Sequence, residues 1–301
     1  MDVIPVQSRG GLGNFVRAAP VIPINDLRGA KSGRFAEGEE LLRCKLAACY
    51  RLVDLIGWTH GIFNHISVRV GSQHHFLINP FGFLYNEITA SSLQKVDLSG
   101  NIIDQGSSEF GVNKAGFTLH SAIHGARADI NCVIHLHTPA AVAVSAMKCG
   151  LLPVSEEALI CGNVSYHDYH GILISEKEKA LLVKNLGPTN KVLILRNHGI
   201  AACGETIEET FHLLCNLMAA CEAQVRAVGL GLDNVVLPNK EAISQARNGK
   251  KQDKAKVDAA REEWKTGELE FEAMMRALDN LGYRTGYNYK VLPMVKSGHF
   301  E

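Results

Sequence analysis

Three histidines have the type and spacing for chemistry. His135 and His137 stand two residues apart in the apolar run NCVIHLHTPA, residues 131–140. In an extended strand, residues i and i+2 project to one face and i+1 to the other. The two imidazoles therefore share a face, while Ile134 and Leu136 turn towards a packed layer. Such a pair either begins a transition-metal site or hydrogen-bonds within a core, and two ligands alone do not decide between these. His198 offers a third. It sits in Asn197-His198-Gly199, after the apolar run KVLILR and before a second short apolar run, which reads as a turn between strands. Two histidines from a strand and one from a turn leave an open coordination position, through which zinc polarises a carbonyl oxygen or binds water.

The elements that must position these residues are readable from periodicity. In EELLRCKLAACYRLVDLIGW, Leu42, Leu46, Cys49, Leu52, Val53 and Ile56 fall at helical intervals before the stop at Gly57. HISVRVGSQHHFLINPFGFLYNEI alternates around Gly71-Ser72 and Pro80-Phe81-Gly82, as strands joined by tight turns do. A helix is expected over Lys114–Arg127, with His120 and His124 one turn apart on one face. That pair reads as hydrogen-bonding partners beside a sheet rather than as ligands. Thr206-x-x-Glu209 is a capping-box pattern that opens a long helix through Val225. Phe271, Met274, Met275, Leu278 and Leu281 form a further apolar stripe whose partner is the body or another chain.

The boundaries that follow are an N-terminal arm without apolar periodicity over 1–37 and a body over 38–240. A charged linker over 241–265 and a neck-like helix with its tail end over 266–301 complete the chain. Thirty-one basic residues balance thirty-one acidic ones, so no overall field draws nucleic acid or an anionic membrane. The cluster Arg247, Lys250, Lys251, Lys254 and Lys256 is diluted by Asp253 and Asp258 and reads as solvated linker. With no membrane-span-length apolar run and no signal-peptide pattern, the expected location is cytoplasmic. Eight cysteines without C-x-x-C pairs read as reduced, buried thiols.

The H-x-H-T strand, the later R-N-H-G, and the intervening AVSAMKCGLLPVSEEAL and YHDYHG are similar to the class II aldolase and adducin family, over roughly Leu41 to Val228. RLVDLIGW, HISVRV, EITASSLQKVD, AGFTLHSAIH, KVLILRNHG and EFEAMMRALDNLGYRTGY resemble its adducin branch, the head domain of a membrane-skeleton protein. The resemblance implies a three-layer α/β/α fold around a mixed, mostly antiparallel sheet. It implies a tetramer with zinc at a subunit boundary, held by His135, His137 and His198.

The aldolases' glutamate, both ligand and base in an S-S-E-x-x-x-H segment, falls on Gly116, with Lys114 and Ala115 where hydroxyls meet a substrate phosphate. Ser107-Ser108-Glu109 spells the same tripeptide but lies too far upstream, so Glu109 is read as a loop residue. Asn64 and Gly82 resemble the aldolases' substrate loops, and a side-chain-capped turn and a positive-φ glycine explain them equally well.

Two functions are compatible with these residues. The first is a non-catalytic, oligomerising adducin-like head, pairing with itself or with adducin-type chains in an actin and spectrin skeleton, in the cytoplasm and at the plasma membrane. No lysine-rich tail is found in the 301 residues, so the branch's tail activities are not expected to carry over. The second is a zinc-dependent aldolase- or epimerase-like enzyme acting on sugars or hydroxy acids. Zinc binding is expected to be weak, because a glycine abstracts no proton and ligates nothing; Gly116→Glu is expected to tighten it.

Overall fold

The computed structural model describes residues 21–71, 74–169, 171, 176–239, 241, 243–245 and 264–291. Helix α1 spans Glu37–Ile56 and ends at Gly57, whose left-handed φ of 86° stops it where the sequence predicts. The chain then alternates through β1 (His65–Val70), β2 (His75–Ile78), β3 (Gln94–Asp97) and β4 (Ile102–Asp104). Helix α2 (Lys114–Ala126) leads into β5 (Cys132–Leu136), α3 (Pro139–Ala146), α4 (Glu156–Ile160), β6 (Val164–Asp168) and α5 (Glu176–Leu186). The hairpin β7 (Val192–Arg196) and β8 (Gly199–Gly204), the long α6 (Ile207–Ala227) and α7 (Glu268–Asn280) follow.

The described strands form one sheet in the order β4-β3-β2-β1-β5-β8-β7-β6. Every neighbouring pair is antiparallel except β6 and β7. This is the mixed, mostly antiparallel sheet that was expected. The strands' two-residue alternation sorts their side chains between two helical layers. On one face Ile66, Val68, Ile134, Leu136, Ile194 and Ile200 pack with residues of α1, α3, α6 and α7. On the other, Val133, Leu193, Leu195 and Ala201 meet Leu119 and Ile123 of α2 and Leu182 and Leu186 of α5. Each such fully buried aliphatic side chain contributes about 1.5–3 kcal/mol. His135 follows Val133 on the α2 face, so the histidine pair points away from the larger core.

One expectation changes, and one alternative left open is resolved. The arm expected over 1–37 is pinned in its described part: Ile24 and Asn25 donate backbone N–H bonds to the carbonyls of Tyr283 and Arg284 at 2.7 and 2.9 Å, and the Ile24 carbonyl accepts from Ala90 N at 2.8 Å. Asp26 accepts from Ser91 N at 2.9 Å, and Ile24 is fully buried. The strand-like pairing uses backbone groups, and the Asp26 carboxylate accepts from residues more than sixty positions away, so no local side-chain periodicity announces either. The stripe on α7 is covered by this chain: Phe271, Met275 and Leu278 are buried in the α1/α6 core, leaving Leu281 exposed at 38%. Residues 1–20, the charged stretch 246–263 with its basic cluster, and residues 292–301 lie outside the described residues.

Candidate metal centre

Position 135 is flanked on both sides by sheet. His135 pairs with His65 of β1 and with Ala201 of β8. Its Nδ1 lies 2.9 Å from the Ile200 carbonyl, which only accepts, so Nδ1 carries the proton and Nε2 is left bare. His137 follows at the end of the strand, where Thr138 caps α3 by accepting from Ala141 N at 3.3 Å and Pro139 takes the first helical position. His198 comes from the β7–β8 turn. There Asn197 adopts φ 56°, a left-handed conformation that asparagine tolerates. Gly199 gives the turn room: a Cβ on it would stand 2.6 Å from His137 Cδ2. Asn-His-Gly thus supplies a bend, a ligand and clearance in consecutive residues.

The three Nε2 atoms converge. His137 Nε2 stands 2.7 Å from His135 Nε2 and 3.1 Å from His198 Nε2. Among the described residues these histidines form a group whose ligand atoms all lie within 4.8 Å of one another. A ring nitrogen of a neutral imidazole carries one proton or one lone pair, so His137 Nε2 satisfies only one well-formed contact at a time. A cation where the nitrogens converge satisfies all three. Burial favours the neutral, ligating form: it pushes His135 well below its ordinary value, His137 down to about 4, and His198 down as well. The donor set fits a zinc-type ion held by His135, His137 and His198, which would supply Lewis acidity at an open position. Tyr169 stacks on His198 with centroids 3.9 Å apart and fixes the half-buried ring.

The other expected residues fall out differently. Gly116 lies in the first turn of α2, where Asn113 caps the helix by accepting from Gly116 N at 3.0 Å. The place of a side chain there is already taken. A Cβ on Gly116 would meet the His65 ring, 2.7 Å from Cδ2 and closer still to Nε2. This corrects the expectation for Gly116→Glu, since a glutamate enters only if His65 moves out. Glu109 is exposed in the loop after β4, as read from sequence. Asn64 is fully buried; its amide donates to the Trp58 carbonyl at 3.2 Å, and its Oδ1 meets no partner among the described residues. Gly82 has φ 116° and lies under Phe110, whose Cδ1 would stand 2.9 Å from a Cβ there.

His120 and His124 prove to be hydrogen-bonding residues. His65 Nδ1 lies 2.9 Å from His120 Nε2. Ser67 Oγ bridges His120 Nδ1 at 2.7 Å and His124 Nε2 at 2.8 Å. His124 Nδ1 ends the chain on the Ile130 carbonyl at 3.2 Å. His65, which the sequence reading overlooked, stacks on His135 with centroids 5.2 Å apart. Its signal was the two-residue spacing of His65 and Ser67, which puts both on the α2 face of β1.

Residues 44–225 match the family described as "Class II Aldolase and Adducin N-terminal domain". The chain belongs to this family. It is 55% identical to alpha-adducin of Rattus norvegicus over 293 residues, covering 96% of this chain and 40% of that protein. It is 44% identical to the protein hu-li tai shao of Drosophila melanogaster over 324 residues, 98% of this chain and 28% of the relative. The chain thus spans about 40% or less of these relatives' length. Among solved structures, an aldolase II superfamily protein from Pseudomonas syringae is 39% identical with a TM-score of 0.77, covering 85% of this chain and 99% of that one. An L-fuculose 1-phosphate aldolase from Glaciozyma antarctica PI12, at 24% identity and a TM-score of 0.70 over 83% and 93%, shares the fold.

Proposed function

We propose that this chain is an adducin-like, non-catalytic head that associates with itself or with adducin-type chains, as a dimer or tetramer, in an actin- and spectrin-based skeleton in the cytoplasm and at the plasma membrane. The observation that carries the reading is the His65 ring standing where a side chain at position 116 would begin. Loss of a general base slows a reaction by roughly 10²–10⁴, and here the base is replaced by a packed ring. The identity to alpha-adducin supports the same reading. Zinc at His135, His137 and His198 belongs to the proposal as a ligand-binding remnant of the fold's chemistry. No helix among the described residues is long and apolar enough to cross a membrane.

Light scattering of the purified chain, a pull-down against a full-length adducin-type chain, and co-sedimentation with filaments test the assembly. Multimers and capture by the full-length partner, with weak direct filament binding, are expected; a strictly monomeric chain that captures nothing overturns it. A second reading, a zinc-dependent aldolase- or epimerase-like enzyme, is favoured by the convergence of the three histidines. Turnover of a small hydroxy-carbonyl substrate that vanishes on His135→Ala would establish it. No measurable retro-aldol cleavage of sugar phosphates with zinc present is expected.

A further inference from the structure

The buried chain from His65 to Ile130 has a fixed direction, because its last member is a carbonyl. A carbonyl accepts and never donates, so His124 Nδ1 carries the proton that reaches Ile130 O. In a neutral ring that leaves His124 Nε2 bare, and it takes the hydroxyl proton of Ser67. Ser67 has no second proton, so His120 Nδ1 must donate to it. His120 Nε2 is then bare and accepts from His65 Nδ1–H. His65 Nε2 is then left as a lone pair with no hydrogen-bond partner among the described residues. All four members are buried, with His65 at 6% the most exposed, and their hydrogen bonds join them only to one another and to a peptide carbonyl, with no carboxylate to hold an imidazolium.

The place of that lone pair is equally determined. His65 and His135 face each other across β1 and β5 and their rings stack at 29°, so His65 lies beside the three-histidine cluster. Its Nε2 edge occupies the root of position 116, from which the resemblance has a carboxylate reach the metal.

We infer that His65 replaces that carboxylate as the acceptor of the site: a neutral imidazole, locked in the Nδ1-protonated form by His120, Ser67 and His124, offering Nε2 to a hydroxyl or N–H of a ligand at the metal's open position. The ligand class is a small hydroxy-carbonyl or hydroxy acid. This deepens the proposed function and rests on its metal reading. The site would hold a hydroxyl-bearing ligand by its proton.

The tautomer is tested on histidine-¹⁵N-labelled, metal-free protein, whose two-bond ¹⁵N–¹H correlations identify the protonated nitrogen of each neutral ring. His65 is expected with the proton on Nδ1, and Ser67→Ala is expected to release it into a mixture of tautomers. A wild-type His65 protonated on Nε2 overturns the inference. Calorimetry on zinc-loaded protein then compares glycolate with methoxyacetate, which lacks the hydroxyl proton. The wild type is expected to prefer glycolate by about tenfold, the scale of one hydrogen bond, and both His65→Ala and Ser67→Ala to shrink that preference. An unchanged preference in folded Ser67→Ala and His65→Ala overturns the inference while leaving the metal reading standing. If the wild type takes up no zinc, the metal reading fails, and with it the acceptor role, whatever the tautomer.

Discussion

His65 and Gly116 are a packed pair: the imidazole of one fills the volume in which any side chain on the other would begin, with a Cβ on Gly116 falling 2.7 Å from His65 Cδ2. The pair reverses the usual effect of glycine in a helix. Alanine in a helix is ordinarily worth about 0.5–1 kcal/mol over glycine, so Gly116→Ala in α2 would stabilise if the site were roomy. Overpacking against a buried ring costs about 1–3 kcal/mol. The expected outcome is net destabilisation, read from urea midpoints, with relief when His65→Ala is combined with it. A more stable Gly116→Ala protein would remove the packed pair and reopen position 116 to a carboxylate.

Stability should fall sharply on mild acidification. His65 and His124 are each held down to about 3, and His137 to about 4, first by burial and then by neighbouring rings around His65 and His137 and by Arg69 beside His124. In the unfolded chain the same groups titrate near 6.5. Below that pH the unfolded state binds protons that the folded state cannot, so it gains relative stability. Each such histidine removes about 1.4 kcal/mol per pH unit from about 6.5 downward until its folded value is reached, and nothing above about pH 7.5. Urea midpoints that are flat above pH 7.5 and drop steeply between 6.5 and 5 are expected. A midpoint unchanged down to pH 5 would contradict the neutral, buried histidines.

Much of the centre was legible because it depends on local rules. The shared face of His135 and His137 follows from strand alternation, and the turn at His198 from two apolar runs around Asn-His-Gly. His65 was not legible as part of the site, since its role comes from the register that sets it against His135, seventy residues on. Nor does a sequence show that a missing side chain has been replaced by a neighbour's ring. Periodicity gave α7 its apolar stripe but not what covers it. The pinned 21–27 segment was invisible, being held through backbone groups that every residue carries and through one carboxylate, Asp26, whose partners Thr89 and Ser91 lie more than sixty residues on.

The buried stripe of α7 makes a sharp distinction between a core and an interface. Met275 has no exposed surface, and Met→Ala in a core costs about 2–5 kcal/mol. Met275→Ala is therefore expected to lower the unfolding midpoint while leaving the mass by light scattering unchanged wherever the protein is still folded. Dissociation of an assembly without loss of monomer stability would instead place this face between chains.

Zinc should stabilise the folded chain through the converging nitrogens. A ligand bound by the native state alone adds RT ln(1 + [L]/Kd), about 2.7 kcal/mol at a hundredfold excess over Kd. Three neutral imidazoles without a carboxylate leave the charge of a divalent ion uncompensated, so the affinity should fall short of a site with an anionic ligand. The melting temperature at pH 7.5 is expected to rise with added zinc and to level off at one equivalent bound, by elemental analysis. His135→Ala removes a ligand whose Nδ1–H is fixed on Ile200 O and should abolish the rise. His124→Ala, which touches none of the three converging nitrogens, should lower the starting stability yet retain the zinc-dependent shift. A shift that survives His135→Ala would assign the metal to other residues, and no shift in the wild type at neutral pH would leave His135, His137 and His198 as core residues alone.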